Sequence, residues 1–141
     1  MGIIDLDVLL RDMEPSLHEG EWFMACVPEG SLMAVAAHLD CVKCIYSEEE
    51  GLTILFSKEA LDGMGELSER EVVGPFALIT LNVNSDLMAV GFLAKITGAI
   101  AAEGLSMNAF SAYFHDHLLV PYADRGEAMG ILRELSSKKR E

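Results

Sequence analysis

Gly91-Phe92-Leu93-Ala94-Lys95-Ile96-Thr97, running on to Gly104-Leu105-Ser106-Met107-Asn108, decides how the rest of this chain is read. Apolar residues at 92, 93, 96 and 100 recur at helical spacing, and Gly104 ends the run as glycine does just past a helix C-terminus. The spacing predicts a helix over about 90–103. Upstream, residues 76–83 are apolar on both faces, the pattern of a central strand. Downstream, 107–114 and 118–122 read as strands around a turn at His115-Asp116-His117. Residues 124–136 then place Ala128, Ile131, Leu132 and Leu135 on one helical face. Gly91, just ahead of the helix, has two uses. It lets a ligand carboxylate approach free N–H groups at the helix N-terminus, or it lets the helix pack closely on the sheet.

The first half follows a similar plan. Asp5 precedes a stripe of Leu6, Leu9, Leu10 and Met13, so a capped amphipathic helix is expected, ended by Pro15. Residues 22–27 read as a strand and 28–40 as an undecided connection. Strands at 41–47 and 52–56 flank the hairpin Glu48-Glu49-Glu50-Gly51. Ser57 caps a helical stretch at 58–64, and 71–73 is a brief strand before Gly74-Pro75. Leu52-Thr53-Ile54-Leu55-Phe56-Ser57 can be laid on Leu118-Leu119-Val120-Pro121-Tyr122-Ala123, and Gly20-Glu21-Trp22-Phe23 on Gly74-Pro75-Phe76-Ala77. The second copy is longer by nearly one helix. The halves, 1–73 and 74–141, therefore read as a duplication whose first copy lacks that helix, with the Leu6–Met13 stripe free to cover the bare sheet face.

Composition narrows the function classes. The 141 residues are 51% hydrophobic and 23% charged, with a net charge of −13. That field repels nucleic-acid phosphates and anionic membrane surfaces. Lys138-Lys139-Arg140 is the one basic cluster, at the end of a helix whose dipole it complements. No apolar run approaches the roughly 20 residues of a membrane span. The start Met1-Gly2-Ile3-Ile4-Asp5 has no basic leader region, and Leu6 stands where a myristoylation signal needs a hydroxyl, so a cytoplasmic protein is expected. Cys26, Cys41 and Cys44 are odd in number, and Cys41-Val42-Lys43-Cys44 reads as part of a strand with no second ligand pair. They read as small buried apolar residues. No nucleophile elbow or phosphate-cradling glycine loop is present, the acidic residues sit in solvated runs, and no cofactor is expected.

Three runs carry a family resemblance: Pro75-Phe76-Ala77-Leu78-Ile79-Thr80-Leu81, Ala89-Val90-Gly91, and Tyr113-Phe114-His115-Asp116-His117-Leu118-Leu119-Val120-Pro121. With the glycine–helix pattern, they make residues 76–136 similar to an ACT domain, the small module that senses amino acids and tunes metabolic enzymes. The first half resembles a degenerate copy. The whole chain also resembles short stand-alone bacterial and archaeal proteins with paired ACT-like halves. The resemblance implies an α+β fold: a ferredoxin-like βαββαβ sandwich in two tandem copies, the first lacking one helix. It implies a non-catalytic regulatory protein that binds an amino acid or similar small metabolite and biases a regulated enzyme. A homodimer is expected, since small sheets with open edges find a neighbour. By position, the effector site falls on Asn84, Ser85, Asp86, Val90, Gly91, Phe92 and Leu93, with Asn108 as an amide partner. The stretch Ser85-Asp86-Leu87-Met88-Ala89-Val90-Gly91 departs from the family's shorter acidic–x–proline–glycine turn. The second copy also lacks a final strand, so the other half or a partner chain is expected to complete its sheet.

Plainer readings stand beside these. Ser85 and Asp86 also make an ordinary helix start, and Asn108 an ordinary half-exposed strand residue. His115-Asp116-His117 reads as a structural turn, as a loop contacting ligand or partner, or as a metal site. His18 and His38 are isolated. Two alternatives stay open: a structural protein–protein interaction module without ligand, and a metal-dependent enzyme using His115, Asp116 and His117.

Overall fold

A computed structural model describes residues 2–140. In chain order the elements are α1 (Leu6–Asp12), β1 (Pro15–Leu17), β2 (Trp22–Val27), α2 (Leu32–Ala36), β3 (Val42–Glu48), β4 (Gly51–Ser57) and α3 (Leu61–Leu67). Next come β5 (Val73–Leu81), α4 (Phe92–Ala102), β6 (Asn108–Ser111), β7 (Asp116–Pro121) and α5 (Arg125–Arg140). They group into two compact units, Gly20–Phe76 on one side and the residues up to Glu19 together with those from Ala77 onward on the other.

In the unit Gly20–Phe76, β4 lies between β3 and β2, antiparallel to both. The hairpin closes on the pair Glu48↔Gly51, leaving Glu49-Glu50 as a two-residue turn. The first residues of β5 run antiparallel along the far side of β2, with Trp22 opposite Phe76 and Met24 opposite Val73. Alternate residues Phe23, Ala25 and Val27 point into a core with Ile54, Phe56, Val35 and Met64, as the two-residue period of a strand requires. Two expectations are corrected here. The first helix of this copy is shortened rather than missing, because a five-residue helix, α2, follows a 3-10 turn at Glu29–Ser31 and buries Val35. The segment before Gly74-Pro75 is no separate strand either, since β5 runs from Val73 straight through a cis Gly74–Pro75 bond. Gly74 sits at φ +144°, and a Cβ there would meet Phe23 Cδ1 at 2.6 Å, so only glycine fits.

The other unit has the strand order β1-β5-β7-β6. β1 runs antiparallel to β5, Pro15 opposite Leu81 and Leu17 opposite Ile79. It occupies the fourth-strand place that the second copy lacked in sequence, so the strand comes from the N-terminus of the same chain. α1 accordingly packs with α4 and α5, its Leu9, Leu10 and Met13 buried in this unit's core. The residues up to Glu19 thus share a compact unit with those from Ala77 onward, whereas the halves read from the sequence run 1–73 and 74–141. α1 is capped by Asp5, whose carboxylate accepts the Val8 N–H at 3.0 Å. α5 is tied to α1 by Lys139–Asp7 at 2.9 Å and by the Ser136 hydroxyl donating to the Arg11 carbonyl at 2.7 Å. Leu9, Met13, Ile79, Leu81, Ile96, Ile100, Leu118 and Leu132 form the core between sheet and helices. The turn after β6 is also displaced from its expected place: Ala112 N–H donates to the His115 carbonyl at 3.0 Å, and Asp116 already opens β7.

All three cysteines are free, and burial pushes the Cys44 thiol pKa up. Cys41 ends a 3-10 turn while Cys44 lies within β3. Among the described residues, no helix is long and apolar enough to cross a membrane.

Candidate functional site

The segment between β5 and α4 makes the site. Val83 is buried and turns the chain out of the sheet, and Ile3, near the N-terminus, then pins residues 84–86. Ile3 N–H donates to the Asn84 carbonyl at 2.7 Å, and Asp86 N–H donates to the Ile3 carbonyl at 2.9 Å. Asp86 Oδ1 accepts the Met88 N–H at 2.8 Å, which folds the next residues into a local turn. Ser85-Asp86 therefore starts a turn and not a helix. The helix waits until Phe92, after Gly91 takes φ +89°, ψ −3°. No side chain caps α4, so its first N–H groups have neither a carbonyl partner within the helix nor a capping oxygen.

The residues that carry these N–H groups line a cleft of about 190 Å³. Gly91, Phe92, Leu93 and Ala94 from the start of α4 line it together with Ser85, Asp86, Leu87, Ala89, Ser111 and Asp116. Asp116 is buried and accepts two hydroxyl hydrogen bonds, Ser85 Oγ to Oδ2 at 2.9 Å and Ser111 Oγ to Oδ1 at 2.8 Å. Both serine protons are committed to the carboxylate, so the hydroxyl oxygens are left as acceptors. The cleft thus pairs an uncapped helix N-terminus, suited to negative charge, with carboxylate and hydroxyl acceptors suited to positive charge.

Of the residues expected here, Ser85, Asp86, Gly91, Phe92 and Leu93 line this cleft, and Asn84 lines a second cavity beside it. Val90 is 83% exposed and Asn108 exposed, and neither lines either cavity. Ser111, at the far end of β6 from Asn108, lines the cleft. Ser111 and Asp116 had no local signal. They reach the site because β6 and β7 pair Ser111 with Asp116 at their turn end.

Two sequence profiles of the ACT domain match the chain, over residues 1–65 and 74–134. The chain belongs to the ACT domain family. A solved protein of unknown function from Vibrio cholerae, described as a possible transport protein, is 31% identical over 93% of this chain and 95% of its own, with a TM-score of 0.75. A protein from Agrobacterium tumefaciens is 17% identical over 86% of this chain and 87% of its own, TM-score 0.67. The ligand-free regulatory subunit of aspartate kinase from Thermus thermophilus is 12% identical over 86% and 95%, TM-score 0.65. No curated protein matches the chain. The fold is thus the tandem ferredoxin-like ACT arrangement.

Within this ACT fold the His115-Asp116-His117 run does not form a metal centre. Asp116 turns to the two serines, while His117 Nδ1 meets Thr80 Oγ1 at 2.8 Å on the opposite sheet face. Successive strand residues point to opposite faces, which is why the three side chains do not converge. Among the described residues no group of three or more His, Cys, Asp or Glu could hold a metal ion. His18 is not isolated: its Nε2 lies 2.7 Å from the same Thr80 hydroxyl. Thr80 has one proton, so at least one of the two imidazoles donates to it.

Proposed function

We propose that this ACT protein is a non-catalytic sensor that binds an amino acid in the cleft at the start of α4 and thereby biases a partner enzyme. The observation that carries the reading is the two-sided polarity of the cleft. An α-carboxylate complements the N–H groups of Phe92, Leu93 and Ala94, and an α-ammonium complements Asp86, Asp116 and the serine oxygens. Among the described residues no lysine, arginine or histidine lines the cleft, so a phosphorylated metabolite finds no side-chain counter-charge there. The protein works as a homodimer: β6 ends the strand order of its unit, with an open edge for a neighbour. Coupling to the enzyme arises from differential affinity of the ligand for two arrangements of the complex.

A thermal-shift screen of the twenty amino acids tests this, because a ligand that binds only the folded state raises its Tm. The informative variant is Ala94→Glu. Ala94 is exposed in the first turn of α4, where glutamate favours the helix yet competes with a ligand carboxylate. A saturable shift for one amino acid, lost in a fully folded A94E protein, is the expected result. Absence of any shift at millimolar concentration would favour a ligand-free interaction module.

A further inference from the structure

The cleft has a neighbour whose lining differs in kind. A second cavity of about 270 Å³ shares Ser85, Asp86 and Leu87 with the first, and Gly2, Asn84, Tyr113 and Phe114 complete its lining. These two rings stand edge to face, centroids 4.8 Å apart, on the turn between β6 and β7. Leu87, Tyr113 and Phe114 are 66%, 78% and 57% exposed. Three large apolar side chains left in water around one cavity stand to gain by being covered. Its polar groups are largely committed. Asp86 Oδ1 holds the Met88 N–H, Ser85 Oγ gives its proton to Asp116, and the Asn84 carbonyl accepts from Ile3.

We propose that this second cavity is the side-chain compartment of the ligand, and that it selects a large apolar or aromatic amino acid. The proposal rests on the amino-acid reading of the first cleft and assigns what that reading leaves open. The zwitterionic head would sit against α4 and the Ser85–Asp116–Ser111 cluster. The side chain passes over Leu87 and lies under the Tyr113–Phe114 pair, where stacking and burial act together. Acidic side chains are disfavoured, because Asp86 borders both cavities and, among the described residues, neither contains a basic side chain. Small side chains leave the rings exposed and gain nothing from them.

Isothermal titration of the intact protein with alanine, norleucine, phenylalanine, lysine and glutamate tests the compartment. Norleucine matters because it matches the lysine chain without the charge. Phenylalanine and norleucine are expected to bind at least about tenfold tighter than alanine, the discrimination one or more buried methylenes can supply. Glutamate is expected to show no binding. Tyr113→Ser and Phe114→Ser, both at exposed positions, are expected to bring phenylalanine down to the alanine level while leaving alanine unchanged. Equal affinity for alanine and phenylalanine would overturn the compartment and leave the head-group site standing. Lysine binding tighter than norleucine would overturn the apolar assignment. Silence from phenylalanine and norleucine would overturn the compartment whatever the other three do, while the screen of all twenty amino acids decides the head-group reading separately.

Discussion

The hydroxyl of Ser85 donates to Oδ2 of Asp116 at 2.9 Å across 31 positions of sequence, and so joins the segment after β5 to the first residue of β7. Asp116 is buried and also accepts from Ser111, so one carboxylate organises three segments of chain. Asp116→Asn replaces an all-acceptor group with one that must donate at one atom, leaving a serine proton without its partner. A loss of about 1–3 kcal/mol in urea unfolding is expected. Ser111→Ala, at an exposed position, is expected to cost less.

Ile96 tests the core. Its side chain is fully buried on the inner face of α4 among Leu9, Ile79 and Leu118. Ile96→Ala is expected to cost about 2–5 kcal/mol, the usual range for such truncations, read as a fall in the denaturant midpoint at unchanged m-value. Ala94→Glu on the same helix should not reduce stability, so the pair separates packing from ligand recognition.

Gly91 and Gly2 should respond differently to an added methyl. At Gly91 the nearest atom to a Cβ is Leu6 Cδ2 at 3.7 Å, an ordinary contact, so Gly91→Ala is penalised by its φ of +89° alone. A cost of roughly 1–2 kcal/mol in global unfolding is expected. At Gly2 a Cβ would run into the Asp86 backbone, so Gly2→Ala displaces the segment that pins Asn84 and Asp86. Hydrogen exchange is the readout there: the Asp86 and Ile3 amides should lose protection while the core amides of β5 keep theirs.

Glu59 offers a pH signature. Its carboxyl pKa lies below the ordinary value, first through the hydrogen bond from the Ser57 side chain, then through its own backbone N–H and, to a lesser degree, Lys58. A depressed folded-state pKa stabilises the fold at pH values above the unfolded carboxylate pKa. That contribution is lost as pH falls through the lower, folded value. The group is fully exposed, so the measurable effect is the titration itself. Ser57→Ala should move the Glu59 midpoint upward in a carboxyl NMR titration. An unmoved midpoint would mean that the Ser57 bond does not hold in solution.

Several elements were legible because their signals are local. The spacing of Phe92, Ile96 and Ile100 and the stop at Gly104 describe α4, and Gly104 indeed sits at φ +75° with its N–H donating to the Ala101 carbonyl. Asp5 before Leu6, the alternation of β2 and the presence of a hairpin at Glu48-Glu49-Glu50-Gly51 are of the same kind, though the structure tightens that connection to two residues. Part of the candidate cleft's lining was legible too, since Ser85, Asp86, Gly91, Phe92 and Leu93 are near in sequence.

The sequence by itself determined the helix with its glycine entrance and the acidic balance, because periodicity, glycine stops and charge are properties of neighbours along the chain, while the tandem ACT family was legible only through the resemblance of particular runs. Tertiary structure alone decided that Pro15–Leu17 completes the sheet of the second copy, that α1 packs on α5, and that Ser111 and Asp116 face the cleft with Ser85. Each of these depends on which strand edges meet across many residues. A strand edge is chosen by the burial and backbone hydrogen bonds of the whole unit, which no local pattern of residues records.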